Sequence, residues 1–442
     1  MAWRNGPEAA LRLGSLLFLL TLAGGTVLAW TANAEGPLDE ARRCLAEGNL
    51  EAAARLARKE SALRPAEGES WRLLGAIALQ QGRMPEAQRA LERALRADGR
   101  DSEAATLLTV LWRREGRFSD AADLLRRLGD EAEAEQLAGF RGAPPFRQTG
   151  PDEVRLDWVG SGPRPVVRIL VARRRSANFL VDTGSSCVVL DRRLAEDIRL
   201  PTVGSAPLLG AGARKTTGTL GRLNSLQLGA TEVQNIPVVV VDLHRPRTTS
   251  EPFEGILGSE FLRQFVVTLD YPNRRLSLGK AGRQGMAEGA RRLGDRRIAD
   301  VPLRLTPGGL VAVPMEVTSR EKLLVFLDTG AAETALALSR RSATRLGLTI
   351  PSHGDRYTGV GGRYLVLPIL LPEMRFAGFS AHNVLGVIAP FPARIENGEG
   401  VPLGGFLGSG FFRPFRVTID FPRMRLRLTR CATSPAVQGG EG

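Results

Sequence analysis

A 24-residue segment that occurs twice in this chain constrains its fold more than any other feature. GILGSEFLRQFVVTLDYPNRRLSL begins at Gly255, and GFLGSGFFRPFRVTIDFPRMRLRL begins at Gly405, 150 residues later, with identical residues at 14 positions. Short Val-, Ile- and Leu-rich runs separated by Gly and Pro surround both copies, which is typical of β-strands and turns. The duplication therefore predicts two β-rich lobes of equal plan, at 153–278 and 301–430, joined by a Gly- and Arg-rich linker at 279–300.

Each lobe also contains Asp-Thr-Gly directly after an apolar run, as FLVDTGSSCVVL in the first lobe and VFLDTGAAETALAL in the second. Burying a single unpaired carboxylate, Asp182 or Asp328, destabilises a fold. Two carboxylates that meet can share one proton, so that one is ionised and activates a water while the other is protonated and polarises a carbonyl group. We therefore predict that Asp182 and Asp328 form a catalytic dyad that hydrolyses peptide bonds without a metal ion or other cofactor.

The order of elements is the same in both lobes: strand, Asp-Thr-Gly, strand, glycine-rich segment, and then two apolar residues before a glycine, as in Ile256-Leu257-Gly258 and Phe406-Leu407-Gly408. This order resembles the pepsin and retropepsin superfamily of aspartic peptidases over residues 153–430, in a bacterial tandem-lobe form. The resemblance implies an all-β bilobal fold of two retropepsin-like lobes and an aspartic endopeptidase that acts on protein or peptide substrates. Two Asp-Thr-Gly motifs in one chain predict one active site per monomer, at the pseudo-twofold axis.

The residues beside each aspartate suit a dyad. Gly184 and Gly330 have no side chain, so the backbone can turn sharply and its N–H groups can approach the carboxylates. The family resemblance implies that Thr183 and Thr329 form hydrogen bonds across the lobe interface and hold the dyad rigid.

The two motifs differ in the residue that follows the glycine. Ser185 can offer a hydroxyl hydrogen bond to its aspartate, whereas Ala331 cannot. We therefore expect Asp182 to be the more readily ionised member of the dyad.

Two glycine-rich segments, GAGAR at 210–214 and GVGGR at 359–363, fit the tips of hairpins that close over a substrate, as the flaps of this superfamily do. The alternative is an ordinary tight hairpin at either position. The flap candidates are Gly210, Gly212, Gly359, Gly361 and Gly362.

Residues 35–138 contain a repeat with a period of 34, in which Gly48, Gly82 and Gly116 recur in register. The fullest copy, WRLLGAIALQQGRMPEAQRALERALRADG, resembles the tetratricopeptide repeat (TPR) family of stacked antiparallel helix pairs. The alternative is an ordinary helical bundle. A TPR stack implies a groove for a substrate or protein partner, and GFRGAPPFRQTGPD at 139–152 reads as a linker. The alternative function is a catalytically inactive peptidase-fold binding or scaffold protein that acts through its TPR region.

The N-terminus has the pattern of an export signal. Arg4 and Arg12 precede the apolar run LLFLLTLAGGTVLAW, and the small residues Ala32 and Ala34 follow it. Residues 1–34 are therefore predicted to be a signal peptide or a retained N-terminal anchor, which would be the protein's one link to a membrane. We expect a periplasmic or other extracytoplasmic location, and a flexible tail at 431–442.

Charge and cysteine content exclude several function classes. The net charge of +13 comes from arginines scattered through every segment, with no basic run interleaved with aromatics, so nucleic-acid binding is not expected. Three cysteines cannot form a disulfide framework, although a bond between Cys187 and Cys431 remains open. The three histidines show no metal-ligand spacing, so we expect no metal site. The residues concerned are Cys44, Cys187, Cys431, His244, His353 and His382.

Overall fold

The computed structural model describes residues 20–21, 38–46, 48–209, 215–243, 252–281, 297–317, 321–331, 334–359, 362–391 and 403–431. The predicted signal or anchor lies outside the described residues, apart from Leu20 and Thr21, and so does the predicted tail, apart from Cys431. None of the helices in the described ranges is long and apolar enough to cross a membrane.

Antiparallel helix pairs make up the N-terminal region. Gly48, Gly82 and Gly116 turn the chain within three successive pairs at φ values of +80°, +73° and +75°, where glycine is strongly favoured. Inside one pair, a Cβ on Gly75 would lie 2.6 Å from the side chain of Leu91, so glycine is what allows this approach. The helices are α1 (Asp39–Ala46), α2 (Leu50–Leu63), α3 (Gly68–Gln80), α4 (Met84–Ala97), α5 (Ser102–Arg114), α6 (Phe118–Arg127) and α7 (Glu131–Ala138).

The first lobe is built on one large sheet and also contains the short helices α8 (Arg192–Asp197) and α9 (Ser259–Leu262). Among the described residues its strand order is β1-β7-β8-β4-β5-β10-β6-β9-β2, and β10 runs parallel to β5 and antiparallel to β6. The strands are β1 (Leu20–Thr21), β2 (Arg147–Thr149), β4 (Val166–Val171), β5 (Arg175–Val181), β6 (Val188–Asp191), β7 (Thr202–Leu209), β8 (Lys215–Leu228), β9 (Thr231–Val241) and β10 (Gly255–Leu257).

The second lobe repeats this plan. Its described strands follow the order β14-β15-β16-β21-β17-β20-β19-β18, and β21 runs parallel to β16 and antiparallel to β17, as β10 does between β5 and β6. The elements are β14 (Arg304–Leu305), β15 (Val311–Val317), β16 (Glu321–Asp328), β17 (Leu336–Leu338), α10 (Arg340–Arg345), β18 (Asp355–Gly359), β19 (Gly362–Phe376), β20 (Phe379–Ile388), β21 (Gly405–Gly408) and α11 (Ser409–Phe412). Helices followed by two β-lobes confirm the predicted fold class.

A third sheet is shared by the two lobes. Its described order is β13-β23-β22-β11-β12-β3, so the hairpins at the ends of the two 24-residue segments pair with each other. Thr268 and Thr418 face each other where the hairpins meet, with their hydroxyl oxygens 2.9 Å apart. The strands are β3 (Glu153–Asp157), β11 (Phe265–Asp270), β12 (Arg275–Lys280), β13 (Arg297–Pro302), β22 (Phe415–Asp420) and β23 (Arg425–Arg430).

This shared sheet changes the interpretation of the predicted linker at 279–300. Gly279 and Lys280 complete β12, and the stretch from Arg297 to Asp300 belongs to β13. Both ends of the predicted linker are therefore strands of the shared sheet, paired with strands of their own lobes, while residues 282–296 lie outside the described residues. The pattern of Gly and Arg concealed this because strand pairing depends on partners far away in the chain.

The segment at 139–152 is likewise more than a linker. Phe140 and Phe146 are buried in the same hydrophobic cluster as the first lobe. The Phe146 ring packs edge to face on Phe118 of α6 and on Phe261 of α9, at a centroid distance of 6.4 Å in each case. β2, within the same segment, pairs with β9. The segment predicted to be a linker is therefore packed against the first lobe, because its aromatic side chains enter the core.

All three cysteines are free thiols, so the open pairing of Cys187 with Cys431 is not formed. Burial raises the pKa of the Cys187 thiol to about 12. Since the thiolate is the reactive form of cysteine, Cys187 is inert at neutral pH and serves as a small buried side chain.

Phe146→Ala tests whether this segment is part of the core. We expect it to lower the free energy of unfolding by about 3 kcal/mol, because a buried aromatic ring is replaced by a cavity. Arg141→Ala, which changes an exposed residue of the same segment, should change it by less than about 0.5 kcal/mol. Chemical denaturation followed by circular dichroism measures both, and equal values for the two variants would contradict the packing.

Candidate active site

The two Asp-Thr-Gly loops leave the ends of β5 and β16, the equivalent strands of the two lobes. The Asp182 N–H donates to the carbonyl oxygen of Leu257 at 3.0 Å, and Asp328 lies opposite Gly408 in the register of β16 with β21. The apolar-glycine elements therefore lie directly beside the aspartates, between the strand before each loop and the strand after it. Both aspartates are fully buried.

Threonines join the two loops across the lobe interface. The Thr183 N–H donates to Thr329 Oγ1 at 3.0 Å, and the Thr329 N–H donates to Thr183 Oγ1 at 3.2 Å. Each hydroxyl group in turn donates to a backbone carbonyl of the opposite lobe, Thr183 to Leu327 at 2.6 Å and Thr329 to Val181 at 2.7 Å. These four hydrogen bonds bring the loops together as the family resemblance implies.

The glycines bring each carboxylate against the opposite loop. A Cβ on Gly184 would lie 2.8 Å from Asp328 Cγ, and a Cβ on Gly330 would lie 2.6 Å from Asp182 Cγ. Both distances are below van der Waals contact, so any side chain here would displace a carboxylate. The structure thus places the two carboxyl groups face to face at the axis between the lobes.

Backbone N–H groups hold one oxygen of each carboxylate. Asp182 Oδ1 accepts from Gly184 at 2.8 Å, and Asp328 Oδ1 accepts from Gly330 at 3.0 Å and from Ala331 at 2.9 Å. Within the described part of the chain, neither Oδ2 atom accepts a hydrogen bond from a protein donor. The Oδ2 atoms are therefore the ones available to a shared proton and to a reacting molecule.

Burial controls the protonation of the pair. It raises the pKa of Asp182 from 3.8 to about 6, against the lowering effects of the Gly184 N–H and the Arg164 guanidinium. Burial and the neighbouring charge of Asp182 together raise the pKa of Asp328 well above its ordinary value. At pH values between the two pKa values, one carboxyl group is therefore ionised while the other keeps its proton.

Asp182 is thus the more readily ionised member, but Ser185 is not the cause. Its hydroxyl group donates to the carbonyl oxygen of Cys187 at 3.2 Å and does not reach the carboxylate. The expected contact was wrong because the loop turns the serine side chain toward the following residue. The Gly184 N–H and the Asp328 carboxyl group lower the pKa of Asp182 more, and the charge of Arg164, which is buried next to β4, adds the smallest effect.

Sequence reasoning missed Arg164 and the residues that support the second loop. Ser409 donates its hydroxyl to the Thr329 carbonyl at 2.7 Å, and the Tyr271 hydroxyl lies 3.4 Å from Ser409 Oγ. A serine at this position, Ser259 or Ser409, is common to both copies of the duplicated segment. The presence of the same serine in both copies could have indicated that it supports the Asp-Thr-Gly loops.

The predicted flap residues are only partly described. Gly359 and Gly362 pair with each other at the end of the β18–β19 hairpin. Gly210, Gly212 and Gly361 lie outside the described residues, so the flap assignment stays a prediction. In the described ranges, no three His, Cys, Asp or Glu side chains are grouped so that they could hold a metal ion.

Thr329→Val tests the threonine hydrogen bonds between the two lobes. The change removes the acceptor of the Thr183 N–H and the donor to the Val181 carbonyl, both of which are buried. We expect a loss of about 3 kcal/mol in the free energy of unfolding, whereas Thr329→Ser keeps the hydroxyl and should lose less than half as much. Equal losses in thermal or chemical denaturation would show that the hydroxyl contributes nothing.

The buried pair of carboxyl groups makes the stability of the fold depend on pH. Because the pKa of Asp182 is raised from 3.8 to about 6, the folded protein keeps a proton that the unfolded chain releases between these values. Stability is therefore fully present at low pH and falls by about 3 kcal/mol as the pH rises through this window. Because the pKa of Asp328 is also raised, the free energy of unfolding continues to fall at higher pH.

As the pH rises from about 4 to about 7, we expect the free energy of unfolding of the wild type to fall relative to that of the Asp182→Asn/Asp328→Asn double variant. The difference between the two should therefore shift in favour of the variant. Asp157→Asn, at an exposed position of β3, is the control and should show no such shift. Denaturation curves at several pH values measure the difference. A constant difference for the double variant would contradict the raised pKa values.

Comparison with known families agrees with this geometry. The family model described as aspartyl protease matches residues 170–261, which contain the Asp182 loop, the strands β7 and β8, and most of α9. The model described as tetratricopeptide repeat matches residues 28–111. None of the curated proteins compared with the chain matches it. The chain therefore carries an aspartyl protease domain with a TPR region on its N-terminal side, and is a protease-like protein with a helical repeat region.

Proposed function

We propose that the protein is an exported aspartic-type endopeptidase in which Asp182 and Asp328 activate a water to hydrolyse peptide bonds. The observation that carries this proposal is the meeting of the two buried carboxyl groups, each packed against the opposite Asp-Thr-Gly loop. Two facing carboxyl groups do not stabilise the fold, since a buried pair of like groups is costly. They do suit acid–base chemistry, which uses one ionised and one protonated group.

The two carboxyl groups have different tasks in this reaction. Asp182, the more readily ionised, takes a proton from a water while the water oxygen bonds to the carbonyl carbon of the peptide. Asp328 gives its proton to the carbonyl oxygen at the same time, which yields a tetrahedral diol. In the second step one diol hydroxyl returns its proton to Asp328, the proton on Asp182 passes to the peptide nitrogen, and the C–N bond breaks. Both carboxyl groups thereby regain their starting forms.

The finer parts of the proposal rest on sequence. The basic residues and apolar run at 1–34 support export to the periplasm or another extracytoplasmic space, with or without a retained anchor. The TPR match supports a role in recognising a substrate or partner protein. One dyad from two loops of the same chain supports one active site per monomer.

A peptide library tests the activity. The full-length protein should cleave members of the library, with a rate that rises as the pH passes about 6 and falls again at higher pH, because one carboxyl must be ionised and the other protonated. Asp182→Asn and Asp328→Asn should each lower the rate at least about 10³-fold, and a statine-type inhibitor should block the wild type. Asp157→Asn is the matched control and should cleave normally.

Two outcomes would contradict the proposal. Cleavage that survives either substitution at the dyad would mean that another site, or a contaminant, does the chemistry. A folded wild-type protein that cleaves no peptide at any pH would favour the alternative, an inactive peptidase-fold protein that acts through its TPR region.

A further inference from the structure

The carboxyl end of α5, in the helical region, is bonded directly to the first lobe. The Arg263 guanidinium follows α9 and donates to the carbonyl oxygens of Arg114 at 2.7 Å and Arg113 at 2.9 Å. The last carbonyl groups of a helix have no partner within the helix, and this end of the helix dipole is negative. The Arg263 guanidinium adds donors to these carbonyl groups and a positive charge at the negative end of the helix, so it acts as a cap from another domain.

A buried ion cluster joins the same elements a second time. Arg113 donates to Glu260 Oε1 of α9 at 3.0 Å and also pairs with Glu133 of α7. At most 14% of any of these three side chains is exposed. Buried charges are tolerated only with partners in good geometry, so the cluster fixes α5, α7 and α9 relative to one another.

Helix α9 in turn holds the loop that carries Asp182. The Ser259 N–H donates to the Ser185 carbonyl at 2.8 Å, and the Glu260 N–H donates to the Ser186 carbonyl at 3.0 Å. Ser185 is three residues beyond Asp182 in the same loop. A short path of hydrogen bonds therefore leads from the end of α5 through α9 to the catalytic loop.

The end of α5 also holds a loop of the second lobe. Arg114 Nη2 lies against three successive carbonyl groups, those of Leu305 and Pro307 at 3.5 Å and that of Thr306. The same loop contains Gly309, whose added Cβ would lie only 2.6 Å from Ser259 Oγ. This loop of the second lobe therefore lies between the end of α5 and α9, the helix that binds the Asp182 loop.

Within the described residues, the ion cluster and the cap of α5 have no counterpart at the matching positions of the second lobe. The positions 150 residues after Glu260 and Arg263 are occupied by Gly410 and by Arg413, which is exposed. Helix α11 binds the second loop through the matching backbone bonds, from the Ser409 N–H to the Ala331 carbonyl at 3.0 Å and from the Gly410 N–H to the Thr334 carbonyl at 3.1 Å. The Ser409 hydroxyl adds a bond to the Thr329 carbonyl. The lobes therefore share the helix-to-loop bonds and differ in the ion cluster and cap that tie α9, but not α11, to the end of α5.

We propose that the carboxyl end of α5 is a built-in part of the active site, in which Arg113, Arg114 and Arg263 are positioning residues for the Asp182 loop. The inference rests on the proposed peptidase function for its catalytic consequence. It gives the helical region a role beyond recruitment: the peptidase lobes depend on it for the geometry of one catalytic carboxylate.

Substitutions in the full-length protein test this role. Arg263→Met removes the cap of α5 and keeps most of the side-chain volume, and Arg413→Met makes the same change at the corresponding exposed position of the second lobe. Glu260→Gln is a milder variant that keeps the shape of the ion cluster and removes its charge. Hydrogen–deuterium exchange over residues 180–190 reports the loop, and kcat, KM and the pH profile of peptide cleavage report the dyad.

We expect Arg263→Met and, to a smaller extent, Glu260→Gln to speed exchange over residues 180–190 by about tenfold or more, with no change in Arg413→Met. In Arg263→Met, kcat should fall about tenfold or more with KM within twofold, because misplacing a catalytic group slows chemistry more than binding. The two limbs of the pH profile should also approach each other, because carboxyl groups that separate are less strongly coupled. A purely structural contact would not move these limbs.

Unchanged exchange over residues 180–190 in both Arg263→Met and Glu260→Gln would overturn the inference. So would faster exchange with kcat and both pH limbs at their wild-type values. If the wild type cleaves no peptide, the proposed function fails separately, and exchange still decides whether α5 holds the loop.

Discussion

Two carboxyl groups that are buried together at the axis between the lobes are the constraint on which the rest of the structure depends. Each is costly where it lies, and burial raises the pKa of both. The surrounding contacts keep them together: threonines that bond across the interface, glycines that leave room for the opposite carboxylate, and N–H groups directed at one oxygen of each. Loosening any of these would let the carboxylates separate or take up protons individually.

The duplication explains how such a site is built from one chain. Both copies of the 24-residue segment contain an apolar-glycine strand that enters a lobe beside its aspartate, and a hairpin that pairs with the other copy. The same segment therefore builds the lobes and joins them. The two copies differ at one position that contacts the helical region. Glu260 of the first copy binds Arg113 at the end of α5, whereas Gly410 of the second copy has no side chain to do so.

Sequence patterns predicted the helical repeats, the two lobes and the residues that meet at the axis, because these depend on local periodicity and on an internal repeat that can be seen directly. They missed the packing of 139–152, where Gly and Pro suggested a linker, and the strands at the two ends of 279–300, where Gly and Arg suggested another. Phe146 enters a core and Gly279 completes a strand of the shared sheet. Burial and strand pairing at these positions depend on partners in other elements, such as Phe261 for Phe146 and Glu153 for Gly279, which composition cannot reveal.

The sequence by itself determined that two aspartates occupy equivalent places in duplicated lobes, and that a period of 34 residues precedes them. Only the tertiary structure decided how the two halves differ. It turned the Ser185 hydroxyl toward Cys187, placed the charge of Arg164 near Asp182, and brought Arg263 to the end of α5. The physical reason is that a repeated pattern specifies equivalent backbones, whereas the charge and hydrogen bonds around each carboxylate come from side chains distant in sequence that meet only when the chain is packed.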